Sequence, residues 1–351
     1  MINLNAYGWN EKLNQLKQES AFKTLSHGRV STVHRTCYEV ISENGLFQCE
    51  LTGSLMYGKS DFELPCTGDW VIFQPFDDNK GIIVDRLPRE RILYRKKSGS
   101  VADKQAFASY VDKAFIVQSL DDNFNVRRVE RFMVQILEAN IHAVLVLNKA
   151  DLDFDRPKIE EQMKHIAHQM PVFFTSIHQP QTILRLRESI SEGETIVFVG
   201  SSGVGKSSLV NALCEKSVLL TSDISLSTGK GRHTSTRREM VLMEGSGVLI
   251  DTPGVREFGL TIDNPDSLAE MLEISDYTSS CRFKDCSHVN EPGCAVLEAV
   301  DSGTLDRKVY ESYLKLRREA WHFSTSEHEK RKKEKSFSKL IDEVKKRKAN
   351  R

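Results

Sequence analysis

The chain has 351 residues, 28% of them charged and 39% apolar, with 49 basic side chains balanced by 49 acidic ones. That length can bury the cores of two or three domains, and the composition excludes a disordered, collagen-like or disulfide-dense chain. No apolar run approaches the ~20 residues of a bilayer-crossing helix, and the opening "MINLNAYGWNEKL" has no basic segment leading into an apolar one, so a cytoplasmic protein with no membrane partner is expected.

The first 27 residues match no motif. From Gly28 to Lys97 the texture is all-β: "RVSTVHRTCYEVIS", "GLFQCELTGSLMY", "GDWVIFQPF" and "GIIVDRLP" are short β-branched or aromatic runs separated by Gly, Asn or Asp turns. Several short strands in so few residues fit a small closed barrel, since closure removes exposed edges. An oligonucleotide-binding (OB-like) barrel over residues 28–97 is the leading expectation, with a purely structural barrel the alternative. The domain ends in the basic run "DRLPRERILYRKK", Asp85 to Lys97.

Beyond it the period changes. Apolar runs "KAFIVQSL", "HAVLVLNK", "PVFFTS", "TIVFVGSS" and "SGVLIDTPG" alternate with amphipathic stretches such as "RRVERFMVQILEAN" and "IEEQMKHIAHQM". Such alternation predicts an α/β domain, a parallel sheet with helices on both faces, over residues 98–260. His165 and His168 share one helix face and read as surface histidines. Residues 261–325 are short in texture, cysteine-containing and then helical; Val309, Tyr313 and Leu316 mark one apolar face of "LDRKVYESYLKLRREAWHF". Residues 326–351 form a basic tail with few apolar anchors, expected to order only on a partner. From Leu305 to Arg351 sixteen Lys or Arg face eight Asp or Glu. Two basic blocks flanking one central domain favour a polyanionic partner.

Within the α/β domain, Gly200, Ser201, Ser202, Gly203, Val204, Gly205, Lys206 and Ser207 satisfy G-x-x-x-x-G-K-[ST] between the strand "ETIVFV" and the amphipathic "SSLVNALCE", and with the following Ser208 they are the candidate phosphate-binding residues. The glycines let backbone amides turn in around phosphates, and the helix N-terminus faces them. Lys206 would reach the β and γ phosphates and the Ser207 hydroxyl would ligate magnesium. Asp251 and Gly254 of "DTPG" end a buried-looking strand where a magnesium-supporting carboxylate and a γ-phosphate amide belong. The polar stretch "STGKGRHTSTRREM" between them reads as a mobile loop closing on the γ-phosphate, with Thr234 chosen as its magnesium-touching hydroxyl and Thr236 as competitor. Asn148, Lys149, Ala150 and Asp151 form N-K-x-D, in which a carboxylate can accept from the guanine ring N–H and exocyclic amine together. Ser176, in "TSI", falls where a loop backing the base would follow. The order is therefore base grip, backing loop, phosphate loop, first switch, second switch. A sheet domain can be cut and rejoined at surface loops if its old ends lie close, so a circular permutation is expected.

Seven cysteines, an odd number without a secretion signal, argue against a disulfide framework. Cys37, Cys49, Cys66 and Cys214 read as reduced thiols in apolar surroundings. Cys281, Cys286, His288 and Cys294 stand as C-x4-C-x-H-x5-C. Three thiolates and an imidazole make a closed, structural zinc set that would stabilise a segment poor in core residues.

Rotated nucleotide motifs, a preceding barrel and a following zinc cluster together resemble the ribosome small-subunit-dependent GTPase A family of circularly permuted GTPases. The resemblance covers about Gly28 to Trp321 and is carried by "NKAD", "GSSGVGKSSL", "GRHTST", "DTPG" with "VREFGL", and the cysteine cluster. It implies hydrolysis of GTP to GDP and phosphate with Mg2+, stimulated by the small ribosomal subunit during its late maturation. It also implies barrel and zinc domains docking on ribosomal RNA. Val255 stands where many GTPases carry the water-positioning glutamine, and the resemblance makes His233 its substitute; a loop histidine aiding closure or RNA contact is the other reading. Serine within "GRHTST" and isoleucine after Ser176 depart from the family's usual residues. Two other functions remain to be separated: a nucleotide-gated RNA-binding module in which hydrolysis is incidental, and a small-molecule kinase, which leaves Asp151 unexplained. Nothing in the sequence demands more than a monomer.

Overall fold

The computed structural model describes residues 1–57, 59–96, 104–214, 239–251 and 266–324. His233, Thr234, Thr236, Gly254, Val255 and the 326–351 tail lie outside the described residues. Those described form two compact units, one running to residue 95 and resuming from 105 through 251, the other including 266–324.

The chain opens with a 3-10 turn at Leu4–Tyr7 and helix α1 (Glu11–Glu19), whose N-cap Asn10 side chain accepts from the Leu13 amide. This N-terminal piece is part of the first unit's core: Leu4 and Leu13 are buried with Ile41, Trp70, Ile72, Leu87 and Tyr110. Trp9 lies against both Trp70 and His27. Its apolar residues are too few and too widely spaced to give the sequence a clear period.

The barrel consists of β1 (Ser26–Val33), β2 (Tyr38–Ser42), β3 (Gly45–Leu51), β4 (Trp70–Phe76) and β5 (Lys80–Arg86), with the short helix α2 (Gly53–Met56) after β3. Its order is β1-β2-β3-β5-β4, closed by β1 pairing with β4. β3 and β5 run parallel and the other pairings are antiparallel. The expected run "RVSTVHRTCYEVIS" is two strands, divided by a turn in which the His34 amide donates to the Cys37 carbonyl. Inward positions Val30, Val40, Phe47, Cys49, Val71, Phe73 and Ile83 fill the interior, as strand alternation requires.

The basic run after β5 is largely committed within the fold. Arg89 is 4% exposed and holds the fully buried Asp69 at 2.6 Å, and Asp69 also accepts from the Cys66 amide and the Ser109 hydroxyl. Burial opposes the Arg89 charge, but the Asp69 carboxylate outweighs it and its pKa is raised. Arg91 pairs with Asp112 at 3.0 Å. A two-stranded ladder, β6 (Leu93–Lys96) with β7 (Lys104–Ala108), then leads into the second sheet.

That sheet contains β8 (Lys113–Ser119), β9 (His142–Asn148), β10 (Val172–Thr175), β11 (Thr195–Val199), β12 (Met240–Leu242) and β13 (Val248–Ile250), ordered β10-β9-β8-β11-β13-β12. β8, β9, β10, β11 and β13 are parallel to one another where they pair. The edge strand β12 is antiparallel to β13, a departure from the all-parallel expectation; three residues beside charged neighbours carry no readable period. The helices α3 (Val126–Glu138), α4 (Arg156–Ala167), α5 (Pro180–Glu188) and α6 (Lys206–Cys214) connect the strands. Ile183 and Leu186 of α5 and Leu209, Val210 and Leu213 of α6 pack on one sheet face against Phe115, Val117 and Phe198, while α3 lies against β8 and β9. From β8 the chain winds outward to β10, then returns to β8's other side with β11. Open α/β sheets hold ligands where winding reverses, off the C-terminal strand ends. The base-grip and phosphate-loop motifs both fall there.

The second unit contains α7 (Asp266–Met271), α8 (Ser275–Thr278), α9 (Ala295–Asp301) and α10 (Arg307–Ser324). Val309, Tyr313 and Leu316 are buried, as their helical spacing predicts.

Candidate nucleotide site and metal centre

Asn148, only 3% exposed, ends β9 opposite Ser119 on one side and Thr175 on the other. Its Nδ2 donates to the Val204 carbonyl at 2.8 Å, and its Oδ1 accepts from the Thr175 hydroxyl at 3.2 Å. One buried amide thus joins base grip, phosphate loop and backing strand. Gly205 makes the approach possible: a Cβ there would sit 2.3 Å from Asn148 Nδ2, and its φ of 92° is left-handed.

Lys149 follows with φ 61°, unusual for a side chain with a Cβ, and its Nζ meets the Asp121 carboxylate at 2.7 Å. The Ala150 amide donates to the Thr175 carbonyl. Asp151 is exposed, and its Oδ1 accepts from the Ser176 hydroxyl at 2.5 Å. That hydrogen bond, more than any nearby charge, holds the Asp151 pKa below the ordinary carboxylate value. Ser176 is itself fixed, its amide donating to the Thr182 hydroxyl at 3.0 Å and its Oγ accepting from the His178 amide at 3.1 Å.

The phosphate loop runs from the end of β11 to α6. Gly200, Gly203 and Gly205 all have positive φ, the backbone such a loop needs to turn its amides inward. Lys206 Nζ donates to the Gly200 and Ser201 carbonyls at 2.7 and 2.6 Å, lying back over the loop that would cradle phosphates. Val204 is buried beneath it, and Ser207 and Ser208 occupy the first turn of α6. Asp251 follows β13, two places from β8 in the sheet, with its amide donating to the Glu239 carbonyl. Motif spacing does not reveal Asp121 and Asn123, in the loop after β8; no rule marks "SLDDN" as part of a nucleotide site.

In the second unit, one ligand atom from each of Cys281, Cys286, His288 and Cys294 lies within 4.8 Å of the others. Cys281 Sγ is 3.9 Å from Cys294 Sγ, and His288 Nδ1 is 3.5 Å from both sulfurs. Tetrahedral zinc with bonds of ~2.3 Å to sulfur and ~2.0 Å to nitrogen needs edges of roughly 3.8 and 3.5 Å, which Cys281, His288 and Cys294 match, with Cys286 within 4.8 Å to complete the set. Burial lowers the His288 pKa, with Arg317 adding to the effect, which favours the neutral imidazole a metal requires. His288 has φ 55°. Its loop is tied to α10: Tyr310 donates to the His288 carbonyl and Arg317 to the Ser287 carbonyl, each at 2.7 Å. The Glu291 carboxylate accepts from the amides of Ser287, Val289 and Asn290. None of the seven cysteines forms a disulfide; burial pushes the Cys49 thiol up to about 12 and raises that of Cys66. His165, half-buried, meets the buried Glu130 carboxylate at 2.7 Å.

A phosphate loop on the returning strand, with a base grip on an earlier one, defines a circularly permuted P-loop nucleotide-binding protein. Residues 86–261 match the family model described as RsgA GTPase. Across 99% of this chain and 98% of its own length, a Bacteroides thetaiotaomicron protein called small ribosomal subunit biogenesis GTPase RsgA 1 is 77% identical. The crystal structure of YjeQ from Thermotoga maritima superposes with a TM-score of 0.63 at 27% identity, covering 84% of this chain and 98% of that one. The fold is also that of YloQ, described as a circularly permuted GTPase (TM-score 0.62, 23% identity, 86% and 97% covered). The chain belongs to the RsgA GTPase family, and it is a GTP hydrolase. Among the described residues no helix is long and apolar enough to cross a membrane.

Proposed function

We propose that this GTPase acts on the small ribosomal subunit as a late assembly factor: it binds the immature particle with GTP, hydrolyses, and leaves. The observation that carries the nucleotide part is the Asn148–Val204 hydrogen bond, which joins motifs 56 residues apart around one crevice. Asp151 would accept from the guanine edge, with Ser176 orienting its carboxylate and Asn148 holding the base grip to the phosphate loop. Lys206 would turn from the loop carbonyls to the β and γ phosphates, the Ser207 hydroxyl would hold Mg2+, and Asp251 would support it. A magnesium ion there would neutralise charge on the transferring phosphoryl group. Thr234 (or Thr236), His233 and Gly254 are assigned to closure on the γ-phosphate, with His233 orienting the attacking water in place of Val255. Zinc on Cys281, Cys286, His288 and Cys294 would be structural, since four protein ligands leave no open position. The name of the 77%-identical relative supports the choice of ribosomal partner. Ribosomal RNA contact by the barrel and zinc domains, and a cytoplasmic location, go with it.

Measuring GTP hydrolysis with and without purified small subunits tests the proposal. Stimulation is expected for the wild type and its loss for Lys206→Ala; equal rates with and without subunits would overturn the ribosomal assignment.

A further inference from the structure

The loop joining β8 to α3 belongs to neither nucleotide motif, yet sheet order puts it between them, because β8 lies between β9 and β11. Its contacts reach both halves of the site. The Leu120 amide donates to the Asn148 carbonyl at 2.9 Å, Asp121 holds Lys149, and Asn123 Nδ2 reaches the Ser202 carbonyl at 3.5 Å. The Asp121 carboxylate is itself fixed in place. Its Oδ1 accepts from the Ser119 hydroxyl at 2.6 Å and from the Asn123 amide at 3.0 Å, leaving Oδ2 for the Lys149 ammonium at 2.7 Å. Asn123 is held in turn by Arg128, whose Nη1 donates to its Oδ1 at 3.1 Å.

We infer that Asp121 is a positioning residue for guanine-nucleotide binding, acting through Lys149. Lysine has a flexible four-carbon stem, and ordering it on binding costs conformational entropy. A carboxylate fixed by the Ser119 hydroxyl at the end of β8 and the Asn123 amide of its own loop keeps the ammonium at one place, so less freedom is lost when nucleotide enters. The pair is about one-third exposed at either end and contributes little to folding as an ion pair. Its effect is on where Lys149 points. Lys149 also has a left-handed backbone, so its stem leaves the chain in a direction the loop must accommodate.

This inference rests on the proposed nucleotide site, and a double-mutant cycle on the full-length chain tests the two separately. GDP dissociation constants would be measured for the wild type, Asp121→Asn, Lys149→Met and the double variant, with Asp151→Asn as control. Asparagine keeps an acceptor for Ser119 and the Asn123 amide, so the loop's own hydrogen bonds survive. Each single substitution is expected to weaken GDP binding about tenfold, and the double variant to be no weaker than the worse single one. A double variant whose losses multiply, or Asp121→Asn binding GDP as the wild type does, would overturn the role of Asp121. If Asp151→Asn also bound GDP unchanged, the nucleotide site itself would be misassigned, a different failure.

Discussion

Asn148 and Lys149 are adjacent but owe their positions to different forces. Asn148 is buried, and its amide is satisfied by Val204 and Thr175; Lys149 is at the surface, held by one carboxylate. Gly205 is the residue on which the first arrangement turns. Gly205→Ala would drive a Cβ into Asn148 and strain a left-handed backbone, so GDP affinity should fall by about a hundredfold or more, measured by calorimetric titration. Asp151→Asn should change specificity as well as affinity: the amide offers a donor where guanine presents its amine, but suits the carbonyl of xanthine. Competition between GTP and XTP should therefore shift toward XTP; an unchanged preference for GTP would remove Asp151 from base recognition. These residues were legible because N-K-x-D and the phosphate loop are dense, fixed-spacing patterns. Asp121 was not, since a carboxylate in a polar turn after a strand looks like any turn residue until sheet order places it between two motifs. Thr175 was readable only by position, through its register with Asn148.

At the scale of elements, short loops carry unusual backbone for the sake of ligands. The His288 loop closes on Glu291, whose carboxylate collects amides from the residues around the candidate zinc ligand. Outer partners of metal ligands typically tune affinity by about 10- to 100-fold, so Glu291→Ala should speed zinc loss to a colorimetric chelator by about that factor, with Glu291→Gln in between. The N-terminal helix α1 has a pH-dependent attachment. His27 packs against Trp9, and burial, helped by the Lys17 charge, holds its pKa down at about 4. Below its ordinary 6.5 the unfolded chain takes a proton that the folded chain refuses. Stability from this group is therefore complete above pH 6.5 and declines toward pH 4. Melting temperatures of wild type and His27→Gln across that window should converge as pH falls. Strand β12 shows where periodicity stops helping: three residues whose only signal is pairing with β13.

Over the molecule as a whole, the division into a barrel and an α/β sheet was legible because one texture has period two and the other alternates strand with helix. Less legible was how firmly the two are joined. "DRLPRERILYRKK" reads as one of two basic blocks favouring a polyanionic partner, but burial of Asp69 turns Arg89 into an internal partner, which no charge count reveals. Asp69→Ala would leave that guanidinium buried without its anion, at a cost of about 3–5 kcal/mol. Because Asp69 also binds Ser109 at the entry to the second sheet, the barrel and the nucleotide-binding sheet should lose stability together, as one shifted calorimetric transition.

The join has a second strand-level element. Glu239 forms an antiparallel bridge to Thr32 of the barrel, and its carbonyl receives the Asp251 amide. It is thus a knot shared by three parts of the chain: the barrel wall, the segment that emerges from residues 215–238, and the acidic residue at the threshold of "DTPG". The barrel is therefore tied, through the backbone of a single residue, to the start of the motif assigned to the γ-phosphate.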